Sequence, residues 1–80
     1  MNKVIEIERT CFACPSQWEG KLDDGREIYI RYRNGNFSVL IDDETVMKKR
    51  LSISEEDQYL TDEEMIVATE DILDWTYHLQ

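Results

Sequence analysis

Asn34-Gly35 stands between two segments of alternating polarity, and this dipeptide constrains the fold more than any other feature of the chain. Both central positions of a type I′ turn need positive φ, which glycine tolerates freely and asparagine better than most residues. Pairing outward from the turn sets Tyr32 opposite Phe37, Ile30 opposite Val39 and Ile28 opposite Ile41. Three apolar pairs fall on one face. A correct register must meet that condition, because a slip of one residue turns every side chain over.

The preceding turn, Asp23-Asp24-Gly25, is solved the same way. A two-residue loop at Asp24-Gly25 would oppose Leu22 to Glu27 and Lys21 to Ile28, mixing the faces. A three-residue loop with Gly25 as the left-handed bulge residue opposes Trp18 to Ile30 and Gly20 to Ile28, with Gly20 leaving room beside Trp18. A three-stranded meander over roughly residues 16 to 42 follows.

Around that centre the signals differ in kind. Residues 3 to 8 set Ile5 and Ile7 against Glu6 and Glu8, the alternation of a half-buried strand, which Cys14-Pro15-Ser16 then breaks. Met47, Lys49, Leu51 and Ile53 alternate as a further strand ending near Ile53, although Glu44 to Arg50 also suits a short helix. Thr61 with Glu64 forms a capping box, and Asp62 and Glu63 suit the positive end of a helix dipole. Met65, Ala68, Thr69, Ile72, Thr76 and Leu79 then recur at helical spacing, with Trp75 at the margin and Ile66 and Leu73 widening the stripe. This predicts a helix over 61–79. The fold expected is α+β in a single domain: an antiparallel β-meander of three to five strands with a C-terminal α-helix packed across one face.

Charge is distributed unevenly. Residues 1–54 hold nine acids and all nine bases, whereas residues 55–80 hold nine acids and neither Lys nor Arg, so the whole net charge of −9 lies in the last third. Glu63, Glu70, Asp71 and Asp74 fall on the helix side opposite the apolar stripe, with Glu64 at its edge. A one-sided negative field disfavours direct binding to nucleic acid and favours a basic protein surface as partner. No run of apolar residues approaches membrane-spanning length, and the charge-interrupted start carries no signal-peptide pattern. A cytoplasmic protein with reduced thiols is expected.

Catalytic constellations are weak. Cys11-Phe12-Ala13-Cys14 has the spacing of half a zinc site, but no second cysteine pair exists and His78 is the only imidazole. Cys11, Cys14 and His78 are thus an alternative metal set, while the reading preferred here has no metal and no cofactor. His78 is also the only candidate for a histidine base, near the end of the chain. The paired acids, Asp23-Asp24, Asp42-Asp43 and Glu55-Glu56-Asp57, fall at turns and helix starts, where acids are common for local reasons. No phosphate-binding glycine loop can be built from three glycines. An enzyme is not expected.

The outer face of the sheet offers a second surface. In the derived register Tyr29 lies between Glu19 and Leu40, Arg31 between Gln17 and Ser38, and Arg33 opposite Asn36. Tyr and Arg are enriched in interface hot spots, and the two arginines also suit an anion.

Cys14-Pro15-Ser16-Gln17-Trp18-Glu19-Gly20 and Tyr29-Ile30-Arg31-Tyr32-Arg33-Asn34-Gly35 resemble a group of small uncharacterised bacterial and phage open reading frames. The likeness spans about residues 14 to 40, carries no known activity, and implies a recurrent hairpin unit in a bacterial or phage setting. The function expected is a small acidic interaction protein, in the form of a phage-encoded inhibitor that occupies a basic, nucleic-acid-binding surface of a host or defence protein. The alternative is a small-ligand, anion-binding or zinc-binding module, using Tyr29, Arg31 and Arg33 or the cysteines.

Overall fold

The computed structural model describes residues 2–11, 16–52 and 59–75. They form strands β1 (Asn2–Cys11), β2 (Ser16–Leu22), β3 (Glu27–Arg33), β4 (Asn36–Ile41) and β5 (Glu44–Arg50), helix α1 (Asp62–Thr69) and the short strand β6 (Leu73–Asp74). The strands make one sheet in the order β5-β4-β3-β2-β1-β6, antiparallel throughout except for β6, which runs parallel to β1. The fold is α+β, richer in strands than the three to five expected.

The central hairpins take the register that the sequence requires. Tyr32 faces Phe37, Ile30 faces Val39 and Ile28 faces Ile41, and Trp18 and Gly20 face Ile30 and Ile28. Asn34 and Gly35 have φ of 54° and 79°, and Gly25 has φ of 90°. The Leu22 amide donates to the Arg26 carbonyl across a three-residue loop. A third tight turn, at Asp42-Asp43, also has two positive φ values, 50° and 66°. Aspartate is among the few residues that enter the left-handed region, and here the Asp42 carboxylate accepts the Glu27 amide at 2.9 Å.

Segment 44–50 is a strand, not a helix, and it ends at Arg50, before Leu51. Ile53 lies outside the described residues. Val46 is an extra residue between the pairs Val39–Met47 and Leu40–Thr45, so it bulges outward and stands 45% exposed.

Strand β1 is longer than residues 3 to 8, and it corrects the expected facing. A bulge between Val4 and Glu6 places Val4 in the core and leaves Ile5 39% exposed, with Ile7 half-buried. Alternation holds only within an unbroken ladder, and the bulge resets it. Gly20 pairs with Ile7, just past this bulge. A Cβ on it would stand 1.9 Å from the Glu6 carbonyl oxygen, so the backbone of β1 occupies the space that a side chain would need.

The helix expected over 61–79 ends at Thr69. Its start matches expectation: Thr61 Oγ1 accepts the Glu64 amide at 3.1 Å, and Glu64 Oε1 accepts the Thr61 amide at 3.0 Å. Its end departs because the core takes Leu73 and Trp75, 1% and 3% exposed. Two residues apart on a helix they would point about 200° apart, whereas two apart on an extended chain they share a side. Extension also lets Leu73 and Asp74 pair with Asn2 and Lys3 at the edge of β1. Thr69 helps the chain leave the helix: its hydroxyl donates to the Met65 carbonyl and accepts the Trp75 indole N–H at 2.8 Å. Thr76 and Leu79 lie outside the described residues. Met65, Ala68, Leu60, Leu73 and Trp75 join the inward residues of the sheet in a single apolar cluster.

Candidate functional site

The approach to α1 is fixed by one buried cation. Arg9 projects from β1 with its side chain 7% exposed. Its Nε donates to Asp62 Oδ1 at 3.1 Å, Nη1 to Ser16 Oγ at 3.3 Å and Nη2 to the Leu60 carbonyl. The guanidinium lies 4.4 Å from the centre of the Trp18 ring and 5.3 Å from that of Tyr59. Trp18 Nε1 also donates to Asp62 Oδ1, at 2.9 Å, and Ser16 Oγ accepts the Leu60 amide at 3.1 Å. Arg9 and Trp18 are shielded from solvent while Asp62 stays 63% exposed, and the charge-assisted hydrogen bonds between them tie the segment down. Residues 59–62 are therefore clasped to β1 and β2, and this sets where the helix begins.

Beside the clasp, α1 and the end of β5 flank an open hollow of about 570 Å³, lined by Tyr32, Lys49, Leu51, Tyr59, Leu60, Glu63, Glu64, Val67 and Ala68. Three of its apolar side chains are open to solvent: Leu51 is 41%, Tyr59 56% and Val67 63% exposed. Val67 lies four residues after Glu63 and three before Glu70, so an apolar side chain interrupts the acidic side of the helix. That break in an acidic helix face is the sequence signal that could have located the hollow. Tyr59 and Leu51 carry no comparable signal, because they lie in irregular chain.

The four acids expected on one helix face are dispersed. Glu63 is on α1 and Glu70 caps its C-terminus, seven residues on and so on the same side, both exposed. Asp71 is exposed in the following turn, and Asp74 is half-buried in β6. The shared face breaks where the helix breaks. The early stop also puts Glu70 and Asp71 against the negative end of the helix, whose last turn has no base.

Tyr29, Arg31 and Arg33 sit on the outer face in the expected register, between Glu19 and Leu40, between Gln17 and Ser38, and opposite Asn36. They do not share one hollow. Tyr29 lines a concavity of about 340 Å³ with Glu6, Glu19, Glu27 and Asp43, whereas Arg31 and Arg33 line another, of about 320 Å³, with Asn34, Asn36 and Ser38.

Cys11 is a half-buried free thiol at the end of β1, while Cys14 and His78 lie outside the described residues. Among the described residues no three His, Cys, Asp or Glu side chains gather as a metal set, and no helix is long and apolar enough to cross a membrane. The Asp24 carboxyl is held below its ordinary value, first by the hydrogen bond it accepts from the Arg26 amide and then by the Arg26 guanidinium. That pair is a turn contact.

The outstanding geometry is an apolar hollow with acids along one wall, beside the Arg9 clasp. Comparison with protein-family models, with curated proteins and with solved structures finds no match, so the reading of this surface rests on the chain's own residues.

Proposed function

We propose that this chain is a non-enzymatic interaction protein that docks on a basic protein surface through the hollow beside α1. The observation that carries the reading is that Leu51, Tyr59 and Val67, all exposed, line the same hollow as Glu63 and Glu64. Exposed apolar groups gain by desolvation on binding, and a tyrosine among them is a common anchor. Glu63 and Glu70 flank Val67 and favour Lys or Arg on the partner. Like-signed charge gathered in one third of the chain costs self-repulsion, which a basic partner relieves. An inhibitor that occupies a nucleic-acid-binding surface of a host or defence protein, carried by a phage, is the form that this chemistry suits best.

The test is affinity capture from bacterial lysate with the parent, Glu63→Lys/Glu70→Lys and Val67→Asp. The parent should retain a partner at about 0.05 M salt and lose most of it at about 0.5 M, where screening is several-fold stronger. Both variants should lose it at low salt while keeping the parent's melting behaviour. Undiminished capture by either variant, or capture indifferent to salt, contradicts the reading.

A further inference from the structure

The outer face of the sheet carries a second set of charges, opposite in sign to those around α1. Ser38 lies between Arg31 on β3 and Lys48 on β5, and Asn36 lies between Arg33 and Arg50. Directly paired residues of antiparallel strands point to the same side. Phe37 and Val39, the alternate residues of β4, are buried in the core, so all four cations stand on the outer face. Two strand spacings separate β3 from β5, about 10 Å, and the two rows lie about 7 Å apart along the strands. Long basic side chains reach across such a rectangle to a common centre.

Three further observations point to an anion there. First, the chain has twice as many acids as bases, and Arg9 and Arg26 each pair with a carboxylate. Among the described residues Arg31, Arg33 and Lys48 have no such partner. Like charges gathered on one sheet face cost stability, and here a shortage of acids is not the cause. Second, the centre of the group is polar and concave. Arg31, Arg33, Asn34, Asn36 and Ser38 line one hollow of about 320 Å³, and Arg50 is steadied by donating to Asn36 Oδ1 at 3.4 Å. Third, Arg31 Nε is shielded from solvent and donates to no described group. With Nε out of reach of solvent, the two terminal Nη groups of Arg31 form the fork by which a guanidinium grips two oxygens of one anion.

We infer that Arg31, Arg33, Lys48 and Arg50, with Ser38 and Asn36 between them, bind a phosphate group presented by a small molecule. Three arginines and one lysine suit a tetrahedral oxyanion with several acceptor oxygens. The strong negative charge of the whole chain disfavours a polyanion at this corner. This site uses none of the residues around the hollow beside α1, so either proposal can fail without the other.

The test is an amide NMR titration of the whole chain with orthophosphate and, separately, with a nucleoside monophosphate, at constant ionic strength against chloride. Shift changes should concentrate on residues 31–38 and 48–50 and saturate in the millimolar range or below. The melting midpoint should rise by about 6–11 °C at about ten times the dissociation constant. Arg33→Gln/Lys48→Gln, both exposed positions, should weaken binding at least about fivefold, and Arg31→Lys, which keeps charge but loses the fork, should also weaken it. A tighter nucleotide identifies the phosphate as part of a larger ligand, and equal affinities identify free phosphate; both support the site. No saturable shift, shifts scattered over the surface, parental affinity in the double variant, or binding of a single-stranded oligonucleotide without either small phosphate overturns it.

Discussion

Gly20→Ala adds one methyl group to the middle of β2, and the structure gives it no place to go. The new Cβ would lie 1.9 Å from the Glu6 carbonyl oxygen and 2.9 Å from the Ile7 Cα, both backbone atoms, where real contacts do not fall below 3.0 Å. No rotamer relieves this, because the obstacle is the neighbouring strand. Strand β1 must withdraw by about 1 Å, which strains the bulge after Val4 and lengthens the ladder bonds that join β1 to β2. Overpacking of one methylene costs 1–3 kcal/mol where side chains can yield. With backbone as the obstacle and one or two weakened hydrogen bonds besides, roughly 3 kcal/mol or more is expected. A domain of this size holds about 4–12 kcal/mol in total, so much of its stability is at stake. Urea unfolding followed by tryptophan fluorescence measures it, with Gly25→Ala as the control. Gly25 has φ of 90° but open space around its missing Cβ, so alanine there should cost only about 1–2 kcal/mol. A Gly20→Ala loss no larger than the Gly25→Ala loss would refute the argument from close approach.

Other outcomes follow from particular contacts. Arg9→Met keeps the apolar stem but removes the donors to Asp62, Ser16 and Leu60; it should cost roughly 2–4 kcal/mol in urea unfolding, and a loss below about 1 kcal/mol would deny the clasp. Thr69→Val preserves shape and leaves the buried Trp75 N–H without its acceptor, so a loss of about 1–3 kcal/mol and altered tryptophan emission are expected. The Asp24 carboxyl should titrate by NMR below 3.8. Its contribution to stability is then complete above that pH and fades as the pH falls through the lowered value. Arg26→Ala, which spares the backbone amide, should restore the titration only in part; full restoration would contradict the leading role of that amide.

How much was legible in the sequence depended on how local the cause was. Asn34-Gly35 and Asp23-Asp24-Gly25 dictate their turns through backbone sterics that the residues carry with them, so both registers could be derived from facing pairs. The capping box was legible for the same reason. Helix length was not, since it depends on the free edge of β1 that accepts Leu73 and Asp74, a partner more than sixty residues away. Met65, Ala68, Thr69 and Ile72 do follow helical spacing, but the burial of both Leu73 and Trp75 is a two-residue period, and it marks the change to extended chain. Ile5 failed because a bulge displaces the facing without altering composition. On the functional side, the register correctly placed Arg31 and Arg33 but grouped Tyr29 with them. Lys48 and Arg50 joined them only once β5 was known to pair with β4. The acidic face expected on a long helix depended on that helix and broke with it.

Hydrogen exchange of the chain with and without its captured partner reads whether the hollow beside α1 holds that partner. Amides of residues 59–68 and 49–52 should gain protection on binding, with those of β3 little changed, and Val67→Asp should abolish the gain. Protection confined to residues 28–40, with residues 59–68 exchanging as in the free protein, would contradict docking in the hollow.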